Sequence, residues 1–352
     1  MADTKFTILG MTGSGKTCYL LGMYYKMCAG MDGYSITTDE DSDVELRNRY
    51  AKISDQSLGK ERFPAGTDST AKYEFDLQYA YNKIMSFDWM DYPGIILVKK
   101  NDGNLEEYEA VKNSINNSSS LFICIDGAML IGEDVDEKIE RVRDNCSSII
   151  NSFISEYLKT NRRLPPTAIV VTKYDLCKDY TNPEELCRIA EDAFSPLFVK
   201  DSKHEKIVTI IPVSIGANIG DENYSGKLKP LNIHLPIFMG IWFALDKEIK
   251  KITSDSGKLK KESDDKIADL QRRMEREYNR IFRRKKEINR LTTSLQIEQR
   301  KKEWIVQQRD NRLIDLEKNK AKLIKELGKM PYIYIDGERS SFENIIERKM
   351  KK

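Results

Sequence analysis

The chain has 352 residues, 40% apolar and 32% charged, with 58 Lys and Arg set against 56 Asp and Glu. That length suits two or three units of ordinary size, and the composition is that of a soluble, globular chain. The charge balance hides an asymmetry: from Lys258 onward there are 28 basic and 17 acidic residues, whereas residues 1–257 hold 30 basic and 39 acidic. The longest apolar run, Leu235–Leu245, contains Pro236 and is too short to span a bilayer. Only a few residues precede the first strand-like run, so no signal peptide is expected. Cys18, Cys28, Cys124, Cys146, Cys177 and Cys187 include no CxxC pair, and His204 and His234 are the only histidines. A reduced, cytoplasmic setting is expected, without disulfides, a zinc site or a histidine metal centre.

Polar–apolar alternation over residues 4–10 predicts a strand that runs into a glycine-rich loop. A helix follows over Lys16–Ala29, with Leu20, Leu21, Met23, Tyr24 and Met27 on one broad face. Residues 31–71 read as polar and irregular, with a short helix at Val44–Ile53. Strands are expected at Lys72–Tyr79, Ile84–Met90, Leu121–Ile125, Thr167–Val171 and Ile207–Val213. Between and after them the pattern places helices at Leu105–Ile115, Asp136–Lys159, Pro183–Phe194 and Leu235–Lys251. Strands alternating with helices argue an α/β layered domain with a mostly parallel sheet, ending near residue 252. Thr253-Ser254-Asp255-Ser256-Gly257 reads as a breaker. Residues 258–327 then lack Gly and Pro, and Ile267, Met274, Ile281, Ile288 and Leu295 recur every seven positions. This favours a long helical arm of coiled-coil character, about 105 Å if unbroken. Glu277, Arg284 and Lys302 fall on the seam, so a short pairing or an antiparallel hairpin competes with a long parallel dimer. Gly328 and Pro331 stop the helix; Tyr332–Ile335 reads as a strand and Phe342–Lys352 as a short amphipathic helix. The expected division is 1–252, 253–330 and 331–352.

Three segments carry chemistry. Gly10-Met11-Thr12-Gly13-Ser14-Gly15-Lys16-Thr17 fits G-x-x-x-x-G-K-[ST], directly after a strand and opening a helix. Glycines there let backbone N–H groups converge on phosphate oxygens, and the helix N-terminus adds partial positive charge. Lys16 reaches the β- and γ-phosphates and the Thr17 hydroxyl ligates Mg²⁺. Asp91-Tyr92-Pro93-Gly94 fits D-x-x-G at a strand end, where the aspartate holds Mg²⁺ through water and the glycine N–H meets the γ-phosphate. Thr172-Lys173-Tyr174-Asp175 fits [NT]-K-x-D: its carboxylate accepts from two guanine N–H donors that adenine lacks, and the lysine stem covers the ring.

In this order the three motifs resemble those of a P-loop GTPase of the translation-factor-related (TRAFAC) class, the group that includes Ras-like, Era-like and septin-like proteins. The likeness covers residues 1–252, and Asp-Tyr-Pro-Gly-Ile is closer to the Era and septin branches than to Ras. It implies a three-layer G domain with a mostly parallel six-stranded sheet, one edge strand antiparallel, and nucleotide over the strand C-termini. The phosphate side is then Gly10, Gly13, Ser14, Gly15, Lys16, Thr17 and Cys18, and the base side is Thr172, Lys173 and Asp175. The family's switch threonine, which completes Mg²⁺ coordination, falls within 64–70; Thr67 is the first candidate and Thr70 the second. The guanine-backing loop falls on Val213–Asn218, with Ser214, Ile215 and Gly216 as candidates. Lys16, Thr67 and Gly94 are the candidate catalytic set, and Thr17, Thr67 and Asp91 the metal set.

Ile95 stands where Ras-like members carry a water-orienting glutamine, so hydrolysis is slow or uses a group from elsewhere, such as an arginine supplied in trans. Gly13 occupies the P-loop position where potassium-activated relatives have asparagine. Asp126 also ends an apolar strand and could serve as an ATPase's Mg²⁺ aspartate, but Gly127 stands where the catalytic glutamate would follow, so Asp126 is read as shaping a turn.

The expected function is a GTP-binding, GTP-hydrolysing switch with GTP/GDP and Mg²⁺ as cofactors, whose arm engages a protein partner, with homo-oligomerisation open. The alternatives are a septin-like, nucleotide-stabilised scaffold and a P-loop ATPase. Nine basic residues between Arg272 and Arg290 could meet nucleic acid or an anionic membrane surface, but neither is favoured over simple solvation, and an acidic protein face is the plausible counter-surface.

Overall fold

The computed structural model describes residues 4–64, 70–98, 105–161, 164–200, 206–216, 228–279 and 285–350. These divide into two compact units, Met1–Ala244 with Leu323–Lys352, and Leu245–Lys322. The first unit is built on one nine-stranded sheet of order β2-β3-β4-β1-β5-β6-β7-β8-β9. Its strands are β1 (Lys5–Leu9), β2 (Tyr34–Thr37), β3 (Ala71–Tyr79), β4 (Asn82–Asp91), β5 (Ser120–Asp126), β6 (Thr167–Thr172), β7 (Ile207–Pro212), β8 (Tyr332–Ile335) and β9 (Glu338–Ser340). The α-helices longer than four residues are α1 (Lys16–Cys28), α2 (Glu40–Ser54), α3 (Leu105–Asn117), α4 (Val135–Val142, carried through a π-turn at Arg143–Ser147 into Ser148–Thr160), α5 (Pro183–Ala193), α6 (Leu235–Tyr278), α7 (Lys285–Leu327) and α8 (Phe342–Met350).

The expected six strands form the centre, β3 to β7 in space, with β4, β1, β5, β6 and β7 mutually parallel and β3 antiparallel. The sheet as a whole is mixed, because β2 extends one side and β8 and β9 the other, all by antiparallel pairing. β2 and α2 arise inside the stretch read as irregular. Tyr34 and Ile36 are buried alternately along β2, and Asp39 caps α2 by accepting from the Ser42 backbone N–H at 2.9 Å, four residues earlier than the apolar pattern begins.

Alternation along the central strands explains the three layers. Leu121, Ile123 and Ile125 of β5 share one core with Val111 and Ile115 of α3, Ile139 and Phe153 of α4, and Leu186 and Ile189 of α5. Phe122 points the other way, its ring 5.5 Å from that of Phe6, which lies 5.0 Å from Phe87. Gly240 of α6 presses against the same Phe6; a Cβ there would come within 2.7 Å of the ring, so this helix approaches closely only as glycine. Burial of each such side chain stabilises the unit by about 1.5–3 kcal/mol.

The chain leaves the first unit after Ala244 and returns at Leu323, so the boundaries differ from 252 and 330. Residues 331–352 form no separate segment: Tyr332–Ile335 is apolar enough to pair with β7, Ile207 opposite Ile335 and Ile210 opposite Tyr332. Phe342 of α8 is 1% exposed and stacks edge-on to Trp242 at 5.0 Å.

The second unit is a helical hairpin. The expected breaker at 253–257 lies inside α6; Thr253 and Ser256 turn their hydroxyls back to the carbonyls of Ile249 and Ile252, so the polar run stays helical. The long helix expected over 258–327 is instead two, and Arg280, Ile281, Phe282, Arg283 and Arg284 lie outside the described residues. The helices pair antiparallel, as Asp246 with Lys320 (2.7 Å), Glu248 with Arg312, Asp264 with Lys302 and Lys266 with Glu298 (3.7 Å) show. Lys302, a misfit on a parallel seam, has an acidic partner in this register. Ile288, Leu291 and Leu316 are buried. Among the described residues no helix is long and apolar enough to cross a membrane.

Phe342→Ala should lower stability by about 3–5 kcal/mol through the cavity left beside Trp242, read as an earlier urea midpoint in tryptophan fluorescence.

Candidate functional site

β1 ends at Leu9 and α1 begins at Lys16; the loop between them needs left-handed backbone at Gly13 (φ 82°) and Gly15 (φ 80°). Lys16 folds back over the loop, its Nζ donating to the carbonyls of Gly10 (2.8 Å) and Met11 (3.1 Å). The parallel register of β1 with β4 sets Ile8 opposite Asp91 and so brings the D-x-x-G aspartate beside the loop. There the Thr17 hydroxyl donates to Asp91 Oδ2 at 3.1 Å. Gly94 packs on the loop so tightly that a Cβ would stand 2.3 Å from the Thr12 nitrogen; only glycine fits.

This pocket is dry. Burial pulls the Lys16 ammonium below its usual range, and attraction to Asp91 opposes that; burial pushes the Asp91 carboxyl up, against Lys16, Thr17 and Arg49. Asp91 Oδ1 and Ser14 Oγ are buried without a hydrogen-bond partner among the described residues. The unsatisfied Asp91 oxygen, on the carboxyl that accepts from the Thr17 hydroxyl, leaves oxygen donors that suit a hard divalent cation. Among the described residues no group of three or more His, Cys, Asp or Glu gathers to hold a metal, here or elsewhere, so a cation at this site would rest on Asp91 and the Thr17 hydroxyl together with phosphate oxygens.

On the other side, the Thr172 hydroxyl bonds to the carbonyls of Ser14 (2.7 Å) and Ile125 (3.0 Å), tying β6 to the P-loop. Lys173 adopts left-handed backbone (φ 50°), and its Nζ donates to the Gly13 carbonyl at 2.9 Å and to Asp126 Oδ2 at 2.6 Å. Asp126 therefore anchors that lysine as well as shaping its turn, where Oδ1 accepts from the Ala128 N–H at 2.9 Å. Gly127 is required because a Cβ would come within 2.5 Å of the Thr172 carbonyl. Asp175 Oδ1 accepts from the Ser214 hydroxyl at 2.5 Å, and the Gly216 N–H donates to Ser214 at 3.0 Å.

The three motifs thus surround one cavity of about 490 Å³. Thr12–Thr17, Cys18, Gly94, Thr172, Lys173, Asp175, Ser214 and Ile215 line it; Gly10 lies behind, under Lys16. Cys18 contributes packing, its thiol pushed by burial up to about 11, so it is no thiolate. Thr67 lies outside the described residues, as does the side chain of Ile95. The sequence reading missed Phe63, Pro64 and Leu176, which also line the cavity. Phe63-Pro64 stands immediately before Ala65-Gly66-Thr67, so proximity to the candidate switch threonine was the available signal. On the arm, Arg280, Arg283 and Arg284 of the basic cluster lie outside the described residues, while Arg273 and Arg290 pair with Asp269 (3.9 Å) and Glu287 (4.0 Å) on their own helices.

Among solved structures, the chain is similar to a bacterial selenocysteine-specific elongation factor, EF-Sec, at 16% identity, covering 60% of this chain and 26% of that one with a TM-score of 0.28. It is similar also to the GTPase-like domain of Ski7 from S. cerevisiae bound to GDP and inorganic phosphate (15% identity, 63% and 45% covered, TM-score 0.35) and bound to GTP (13%, 64% and 46%, 0.32). The chain spans less than half the length of each of these. No curated protein matches it. A family profile described as Double-GTPase 2 matches residues 6–214, a stretch that runs from β1 to Ser214 and takes in all three motifs. With more than half of its length matched, the chain belongs to the Double-GTPase 2 family, in keeping with the P-loop GTPase class that its motifs resemble.

Proposed function

We propose that this protein binds GTP in the 490 Å³ cavity and hydrolyses it to GDP and phosphate as a nucleotide-dependent switch. The observation that carries the reading is the joining of the P-loop to the base-side motif by two bonds, Thr172 to Ser14 and Lys173 to Gly13. They hold a phosphate grip and a carboxylate base reader around one space. In this reading the loop amides and Lys16 hold the phosphates, and Asp175, oriented by Ser214, accepts from the guanine edge, with Lys173 and Leu176 beside the ring. Ile215 and Cys18 close the cavity around them. Thr17 and Asp91 would hold Mg²⁺, with Thr67 as the candidate switch ligand; bound there, the ion neutralises phosphate charge. Gly94, which packs against the P-loop, would sense the γ-phosphate. The hairpin is then the element that meets a protein partner.

Asp175→Ala should cut the preference for GTP over ATP at least about 100-fold, measured by competition against a fluorescent guanine nucleotide; an unchanged preference overturns the reading. Chelating Mg²⁺ should weaken GTP binding by the wild type at least about tenfold and leave the already weakened Asp91→Asn variant unmoved. Equal sensitivity in the two proteins would remove Asp91 from the metal site.

A further inference from the structure

Arg49 sits on α2, in the segment between α1 and β3. Its Nη1 donates to Glu45 Oε1 at 3.0 Å and to the Tyr73 hydroxyl at 2.9 Å, and that hydroxyl in turn donates to Glu45 at 3.0 Å. The side chains of Arg49 and Glu45 are 33% and 51% exposed, so water competes for both and the pair is easily released.

The helix beneath is firmly held. Tyr25 of α1 stacks on Tyr50 at 3.8 Å, Tyr24 bonds to Asp43, and Leu46 and Ile53 are fully buried. From that base the chain runs through the tight turns Gln56–Arg62 to Phe63 and Pro64 in the cavity wall.

Tyr73 marks where the guanidinium stands. In the β3–β4 register Tyr73 lies opposite Trp89, and Ala71 opposite Asp91. Residues two apart share a face, so Tyr73, Trp89 and Asp91 belong to the face that carries Thr17, and Trp89 meets Tyr19 of α1 on it at 5.5 Å. The charge of Arg49 bears on Asp91 and Cys18, both on the phosphate side. A cation on a braced helix, tethered by two weak contacts next to the phosphate grip, is suited to move onto a phosphoryl group.

We infer that Arg49 supplies, from within the chain, the guanidinium that stabilises the transition state of GTP hydrolysis, leaving Glu45 and Tyr73 when GTP binds. This rests on the reading that the cavity takes GTP, and it answers the missing glutamine at Ile95 without a second protein. In the step, a water oxygen forms a bond to the γ-phosphorus as the bond from that phosphorus to the bridging oxygen breaks. The electron pair stays on the β-phosphate of GDP, and the water proton ends on inorganic phosphate or in solvent. Arg49 remains protonated and forms no covalent bond; its N–H groups meet charge gathering on the γ- and bridging oxygens.

The experiment uses the full chain with Mg²⁺ and no partner. GTP affinity is measured first, then single-turnover hydrolysis, then capture of GDP with aluminium fluoride, a mimic of the transferring phosphoryl group. Arg49→Ala should keep GTP affinity within about threefold, slow hydrolysis at least about 100-fold and lose fluoride capture. Arg49→Lys should recover only part of the rate, because an ammonium lacks the planar fork. The pair Glu45→Ala with Tyr73→Phe removes both acceptors, frees the arginine and should hydrolyse at least as fast as the wild type; were Arg49 only a brace for α2, this pair would be slowed as Arg49→Ala is. Wild-type rate or fluoride capture in Arg49→Ala overturns the inference, as does a wild type that holds GTP without turning it over. A wild type that does not bind GTP fails the underlying reading instead, and the first measurement tells the two apart.

Discussion

The structure turns on two opposite charges kept out of water at the C-terminal edge of the sheet. Lys16 is 6% exposed and Asp91 2%, and each is driven toward its neutral form by burial. Such a pair is tolerated only where backbone and hydroxyl partners satisfy most of its atoms. The partners come from the P-loop carbonyls and Thr17, and their positions follow from the parallel register of β1 and β4. The arrangement is incomplete, since Asp91 Oδ1 and Ser14 Oγ have no protein partner among the described residues. Buried oxygens left unmatched cost stability, and the Asp91 oxygen is the one that a bound cation would satisfy in the proposed reading.

The same constraint reaches across the sheet. Thr172 and Lys173 attach the end of β6 to the loop, each side chain donating to a main-chain carbonyl, so the segment that carries Asp175 and the P-loop are tied to each other directly. Gly94 and Gly127 are the steric counterpart: at each a methyl group would collide with main chain, and the close approach is what brings the motifs onto one cavity.

The central strands and the P-loop helix were legible because buried parallel strands give dense apolar runs such as Leu121–Ile125, and because glycine spacing is a direct record of backbone needs. Less visible were features fixed by distant partners. Ala71–Tyr79 declares itself by alternation, whereas β2 has four residues and exists because β3 offers it an edge. The polar run at 253–257 looks like a stop, yet Thr253 and Ser256 satisfy their hydroxyls within the helix and let it continue. The heptad of Ile267, Met274 and Ile288 signals helix pairing but not direction; that is read from pairs such as Asp246 with Lys320, far apart in the chain. For the site, motif residues were found by spacing, while Phe63 reaches it through the turns that follow α2 and carries no local signature.

The pairing of β8 with β7 bears on how the protein is made. A ribosome releases β7 long before residues 332–340, since both helices of the hairpin are synthesised in between. During that interval the β7 edge, with Ile207 and Ile210, is a bare template for the wrong neighbour. Nascent chains held on crowded polysomes are therefore most exposed to mispairing along this edge, and prompt closure of the hairpin, which carries the tail back to the sheet, shortens the time for which it stays open.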